Sequence, residues 1–154
     1  MFRQFFACAA VTLAMCSSAM AMSGAWRADT HTGCKVWDND ARPDDAITWS
    51  GSCEGGYASG RGTAEYIVNG RPLARYDGEY QGGKRSGHGV LTVPGYRFDG
   101  EWRDDNPDGR GSILFDNGQS ISGNWSNGCL RQGNRTWTVT MPPELCDPHL
   151  GNKV

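Results

Sequence analysis

Four glycines, Gly51, Gly78, Gly100 and Gly123, set the frame of this sequence. They are 27, 22 and 23 residues apart. After each of the first three, glycine returns at offsets nine and eleven, giving Gly60 and Gly62, Gly87 and Gly89, and Gly109 and Gly111. Trp49, Tyr76, Phe98 and Ile121 stand two residues before the frame glycines, and Tyr80, Trp102 and Trp125 stand two after three of them. Cys53 takes that place in the first copy, and the fourth copy loses its Gly-x-Gly and runs into Cys129. Self-similarity at a period of this size is the mark of a repeat architecture.

The period within each copy is two, and alternate residues of a strand share one face. Aromatic, glycine, aromatic therefore lie on one side. Ser50 and Ser52, Asp77 and Glu79, Asp99 and Glu101, and Ser122 and Asn124 lie on the other. Turn signals follow at Gly55-Gly56, Gly82-Gly83, Asn106-Pro107-Asp108 and Asn127-Gly128. A second strand starts at each Gly-x-Gly and again places apolar residues on one face: Ala64 and Tyr66, Leu91 and Val93, Ile113 and Phe115. It ends at Asn69-Gly70, Pro94-Gly95 or Asn117-Gly118. Each copy is thus predicted to be a β-hairpin with one apolar face. One hairpin is marginal alone, so the copies must stack to stabilise each other. Glycine beside the aromatics lets large rings of neighbouring repeats lie over bare backbone.

The flanks complete an all-β chain. Cys34 to Trp37 reads as a short strand on the first repeat's edge, and Thr136 to Thr140 as a closing strand stopped by Pro142-Pro143. The first residues read as a leader. Arg3 is basic, Phe5 to Met15 is apolar, and Ala19-Met20-Ala21 suits a signal peptidase, so cleavage is expected after Ala21. A lipoprotein box ending at Cys16 is the rival, with Met15 too bulky for the position before it. Removing the leader takes Cys8 and Cys16 and leaves Cys34, Cys53, Cys129 and Cys146. Four cysteines in an exported chain read as two disulfides, and their grouping favours Cys34–Cys53 and Cys129–Cys146. A zinc site would need closer cysteine spacing. Losing Arg3 takes the formal charge from −2 to −3, which excludes nucleic acid as the expected partner.

Tyr76-Asp77-Gly78-Glu79-Tyr80-Gln81-Gly82-Gly83-Lys84 through Gly89, and Phe98-Asp99-Gly100-Glu101-Trp102 through Gly111, resemble the MORN repeat. With the leader, the resemblance implies an exported bacterial protein of that family, periplasmic or secreted. It implies an elongated, twisted antiparallel sheet of stacked hairpins with an aromatic-lined groove, and roles in scaffolding, dimer formation or lipid association. The expected organisation is a signal peptide over 1–21, an N-terminal cap over 22–46, repeats over 47–133 and a C-terminal cap strand and tail over 134–154. The copies cover about 47–70, 76–95, 98–118 and, in part, 121–133. Cys53 in an aromatic position and the half repeat at the end read as disulfide-pinned caps, which solenoid ends require.

No catalytic set declares itself. His31, His88 and His149 have no partner at metal-ligand spacing, and neither a Gly-x-Ser-x-Gly elbow nor a phosphate loop is present. Asp77, Glu79, Asp99 and Glu101 form an acidic ladder that could serve a hydrolase or bind calcium. Cross-strand pairing with Arg61, His88 and Arg110 explains it more simply, because carboxylates that recur with the hairpin belong to the repeat. The reading is therefore a non-enzymatic binding or scaffold module of the cell envelope, without metal or cofactor. It would engage a protein partner or a second copy through Trp49, Tyr76, Tyr80, Phe98, Trp102 and Trp125. A lipid- or glycan-binding module is the alternative, and an envelope hydrolase ranks last.

Overall fold

The computed structural model describes residues 24–146; the leader, His149 and the tail from Asp147 lie outside the described residues. Among them there is no α-helix, only a single 3-10 turn at Pro143–Leu145. The strands are β1 (Ala25–Ala28), β2 (Lys35–Asp38), β3 (Ala46–Trp49), β4 (Ser52–Glu54), β5 (Tyr57–Val68), β6 (Arg71–Gln81), β7 (Lys84–Val93), β8 (Tyr96–Arg103), β9 (Asn106–Phe115), β10 (Ser120–Trp125), β11 (Cys129–Gln132) and β12 (Arg135–Thr138). β5 to β10 run in sequence order as an antiparallel meander. β2 adds to β5 in parallel, with β1 outside it, and β3 and β4 pair with the two halves of β5.

The register brings the frame glycines and the second glycine of each Gly-x-Gly into one row. Gly62 faces Gly78, Gly78 faces Gly89, and the row continues through Gly100 and Gly111 to Gly123. Rings roof this row. A Cβ on Gly89 would stand 2.1 Å from the Tyr76 hydroxyl, and one on Gly111 would stand 2.5 Å from the Phe98 ring. Each frame ring therefore crosses glycines of its own hairpin, where a neighbouring repeat had been expected to supply the ring. The first glycine of each Gly-x-Gly does different work. Gly60, Gly87 and Gly109 have φ of 70°, 57° and 120°, and the ladder slips register beside Gly87 and Gly109. These are β-bulges with glycine in the left-handed region. The stems of Glu79 and Glu101 lie over Gly87 and Gly109.

One turn is corrected. The third hairpin turns at Asp104-Asp105, and Asn106-Pro107-Asp108 already belongs to β9. Asp104 and Asp105 have φ of 45° and 73°, matching Gly82 and Gly83 at 56° and 79°. Two-residue hairpin turns of type I′ need positive φ at both central positions, which Asp tolerates better than most residues. These turns also join the repeats. The second turn residue donates its backbone N–H to a carbonyl of the preceding repeat: Gly83 to Ala58 (2.9 Å), Asp105 to Arg85 (3.0 Å) and Gly128 to Pro107 (2.8 Å).

The flanking segments dock on the same turns. Trp37 N–H donates to the Gly83 carbonyl at 2.8 Å, and Val139 N–H to the Gly128 carbonyl at 3.2 Å. The structure pairs Cys34 with Cys53 and Cys129 with Cys146, with Cα atoms 5.8 and 5.7 Å apart. β12 does not close the main sheet: it pairs with β11 in a separate ribbon, which is joined to the β10 end by the isolated Ser126–Cys129 bridge.

Candidate functional site

The six aromatics singled out in the sequence form one chain of rings. Trp49, Tyr80, Tyr76, Trp102, Phe98 and Trp125 follow one another with centroids 4.7, 5.3, 5.3, 5.3 and 5.1 Å apart, mostly edge to face. Such pairs stabilise by roughly 0.5–1.5 kcal/mol each beyond their area burial. Two indoles also pin one hairpin to the next: Trp102 Nε1–H donates to the Gly89 carbonyl and Trp125 Nε1–H to the Gly111 carbonyl, both at 3.1 Å. All six rings are buried, none more than 5% exposed. That overturns their expected role as an open contact surface. Their bulk fills the face above the glycine row, so the ladder holds the repeats together.

The inner face stays open farther along the strands. A cavity of about 240 Å³ lies there. Tyr66, Ile67 and Val68 of β5, Leu73 and Ala74 of β6, Leu91 and Val93 of β7, and Tyr96 of β8 line it. One wall is Asp38, Asn39, Asp40, Arg42, Asp45 and Ala46, from the end of β2 to the start of β3, and Thr140 contributes from the C-terminal segment. The floor thus comes from the repeats and the walls from the flanks. Leu73 is 48% exposed beside it, an apolar side chain with nothing over it. Repeat position alone could have indicated Tyr66, Val93 and Tyr96, which continue the apolar face past the ladder. The wall has no periodic signal in the sequence.

Arg85 separates the cavity from the ladder. Its guanidinium is 4.6 Å from the Trp102 ring centroid and grips Asp105, Nε to Oδ1 at 2.8 Å and a terminal nitrogen to Oδ2 at 2.5 Å. Both side chains are almost wholly buried. Tyr66 and Tyr80 share a hydroxyl hydrogen bond of 2.9 Å under the cavity. Burial pushes the Tyr66 phenol up to about 12 and raises Tyr80 and Tyr96 as well. Burial also raises the Asp38 carboxyl, and the Asp45 charge adds to the shift.

The acidic ladder lies on the outer face, where cations pair with its two aspartates and, among the described residues, Glu79 and Glu101 form no ion pair. Arg75 binds Asp77 at 2.8 Å and Glu65 at 2.9 Å, Arg97 binds Asp99 at 3.0 Å, and His88 Nε2 lies 3.0 Å from Asp99. His88 is the partner expected. Arg75 and Arg97 replace the anticipated Arg61 and Arg110, because they sit two residues before each Asp on the same strand face. The arginine hydrogen bond holds Asp77 below the ordinary carboxylate range.

The sequence model of the MORN repeat matches residues 76–94 and 98–120. The chain is a MORN-repeat protein. The matched segments are the second and third hairpins. The outer two share their positive-φ turns at Gly55-Gly56 and Asn127-Gly128, and the glycine row and the ring chain continue into them. No curated protein matches the chain closely enough to count as a relative.

Proposed function

We propose that this MORN-repeat protein is a non-enzymatic binding module that receives a segment of a partner polypeptide in the apolar trough over β5 to β8. One observation carries the reading. The repeats bury their aromatic ladder completely, yet leave Tyr66, Ala74, Val93, Tyr96 and the half-exposed Leu73 around an open cavity. Exposed apolar surface bordered by polar residues is what interaction sites present. MORN repeats are in general protein- or membrane-binding modules, in keeping with a non-enzymatic role. Service in the cell envelope after export is part of the proposal. The two cysteine pairs at bonding distance suit an oxidising compartment, and no helix among the described residues is long and apolar enough to cross a membrane.

The test places a photo-crosslinking amino acid at Leu73 and, separately, at Ser112 on the outer face. The trough reading expects a partner captured from Leu73 and not from Ser112. That partner, purified, should then bind an Ala74→Phe variant at least tenfold more weakly, because the new ring fills the cavity. Capture from Ser112 instead, or equal affinity for the filled variant, would overturn it.

A further inference from the structure

The mouth of the trough carries negative charge that its own walls leave unanswered. Asp40 is paired with Arg42 at 3.1 Å. Asp38 and Asp45 also line the cavity, both half-buried, and among the described residues neither forms an ion pair. Their carboxylates accept only backbone N–H groups, Asp38 from Asp40 at 3.1 Å and Asp45 from Arg42 at 2.9 Å. Of the neighbouring cations, Arg85 is held by Asp105, and Arg27 donates to the Arg42 carbonyl and acts on Asp38 only from a distance, without an ion pair among the described residues. A half-buried carboxylate without a cation is an unfavourable arrangement that an arriving cation relieves.

Below this mouth the chemistry changes. The floor is aliphatic and aromatic, and the cavity is about 240 Å³. Small-molecule pockets run from roughly 300 to 1,000 Å³, so this one suits a single anchoring side chain. A negative rim beside an apolar hole selects an amphipathic cationic pattern.

Resting on the trough reading above, we propose that the occupant is a polypeptide segment in which a bulky apolar side chain is adjacent to Lys or Arg. The apolar group enters between Tyr66, Val93 and Tyr96, and the cation stays at the mouth with Asp38 and Asp45. Burial and then the Asp45 charge raise the Asp38 pKa against the pull of Arg27 and Arg85, and a cation seated at the mouth would stabilise the charged carboxylate. An acidic segment is repelled by the same rim, and an anionic lipid headgroup is repelled for the same reason.

The probes are three blocked pentapeptides with a central phenylalanine flanked by lysine, alanine or glutamate, titrated into the oxidised protein and followed by amide chemical shifts. The lysine peptide is expected to move the Val93 and Tyr96 amides and to bind about tenfold more tightly than the glutamate peptide. The preference should collapse in Asp38→Asn/Asp45→Asn, whose folding is checked by its unchanged outer-face shifts, while Ala74→Phe should block all three. Equal binding of the three peptides at these amides overturns the charge pattern and leaves the trough reading standing. No shift at the trough with any peptide defeats both. Anionic vesicles that compete with the lysine peptide would assign the trough to lipid and overturn the proposal as well.

Discussion

Arg85 and Asp105 hold each other at both the side chain and the backbone. The guanidinium grips the carboxylate at 2.8 and 2.5 Å, and the Asp105 backbone N–H donates to the Arg85 carbonyl at 3.0 Å. The equivalent junctions use Ala58 with Gly83 and Pro107 with Gly128, which carry no charge. The ion pair is therefore dispensable to the junction, whereas either charge left alone in a buried site is not. Arg85→Met or Asp105→Asn alone should cost roughly 3–5 kcal/mol. Arg85→Met with Asp105→Asn should lose far less than the sum of the two single losses, because it removes both charges together. Urea unfolding of the two single variants and the pair measures this; additive losses would show that the junction needs its charges.

The glycine row makes a second prediction. Gly89 and Gly95 differ in what a methyl group would meet: the Tyr76 ring and hydroxyl from 2.1 Å at Gly89, and nothing within 4 Å at Gly95. Gly95→Ala should cost about 1–2 kcal/mol through its positive φ of 97° alone. Gly89→Ala must displace a wholly buried ring that packs on Tyr80 and Trp102, so its cost should exceed that of Gly95→Ala, and the paired Gly89→Ala/Tyr76→Leu should recover part of it. Equal melting losses for Gly89→Ala and Gly95→Ala would mean that the row tolerates side chains.

Much of this architecture was legible because repetition amplifies weak local signals. One aromatic-Gly-aromatic triplet says little, but two complete triplets with two partial ones in register indicated the hairpins and the buried face, and the grouping of the cysteines at the two ends indicated both pairs. The reading failed where one copy departs from the others. Asp104-Asp105 sits at the offset of Gly82-Gly83, yet Asn106-Pro107-Asp108 is the stronger turn signal locally, and the frame was the better guide. It failed again on exposure. Parity assigns Trp102 and Tyr96 to one face, but only the three-dimensional path of the flanks decides that the first is sealed and the second borders a cavity. The cavity wall from Asp38 to Ala46 has no period at all, so only its coordinates place it.

Tyr66 provides a test by pH. Burial raises its phenol from the ordinary 10 to about 12. The fold therefore favours the neutral phenol, and this contribution is complete below pH 10, where the unfolded chain is also neutral. As pH rises past 10 the unfolded chain ionises first, so stability should fall until Tyr66 itself titrates near 12. Tyr66→Phe should flatten the loss between pH 10 and 12, even though it leaves the Tyr80 hydroxyl without its 2.9 Å partner and lowers stability at neutral pH. Unfolding midpoints in urea across that range decide the matter; parallel curves for the two proteins would show that the Tyr66 hydroxyl is not held away from water in the fold.

The two cysteine pairs fasten the walls of the trough and not its floor. Cys34–Cys53 ties the segment that leads into Asp38, and Cys129–Cys146 ties the one that carries Thr140. The floor strands are held independently by the ring chain and the inter-repeat hydrogen bonds. Each disulfide closes a short loop and should stabilise by about 2–4 kcal/mol, applied to its own flank. Reduction should therefore loosen the walls before the floor, as local unfolding of weakly held elements does. Hydrogen exchange after dithiothreitol treatment should speed up at residues 35–46 and 137–141 while the Leu91 and Phe98 amides stay protected, and capture of a partner at Leu73 should be lost in parallel. If the whole chain exchanges as one unit, the disulfides support the repeats themselves, and the division of the trough into a rigid floor and fastened walls is wrong.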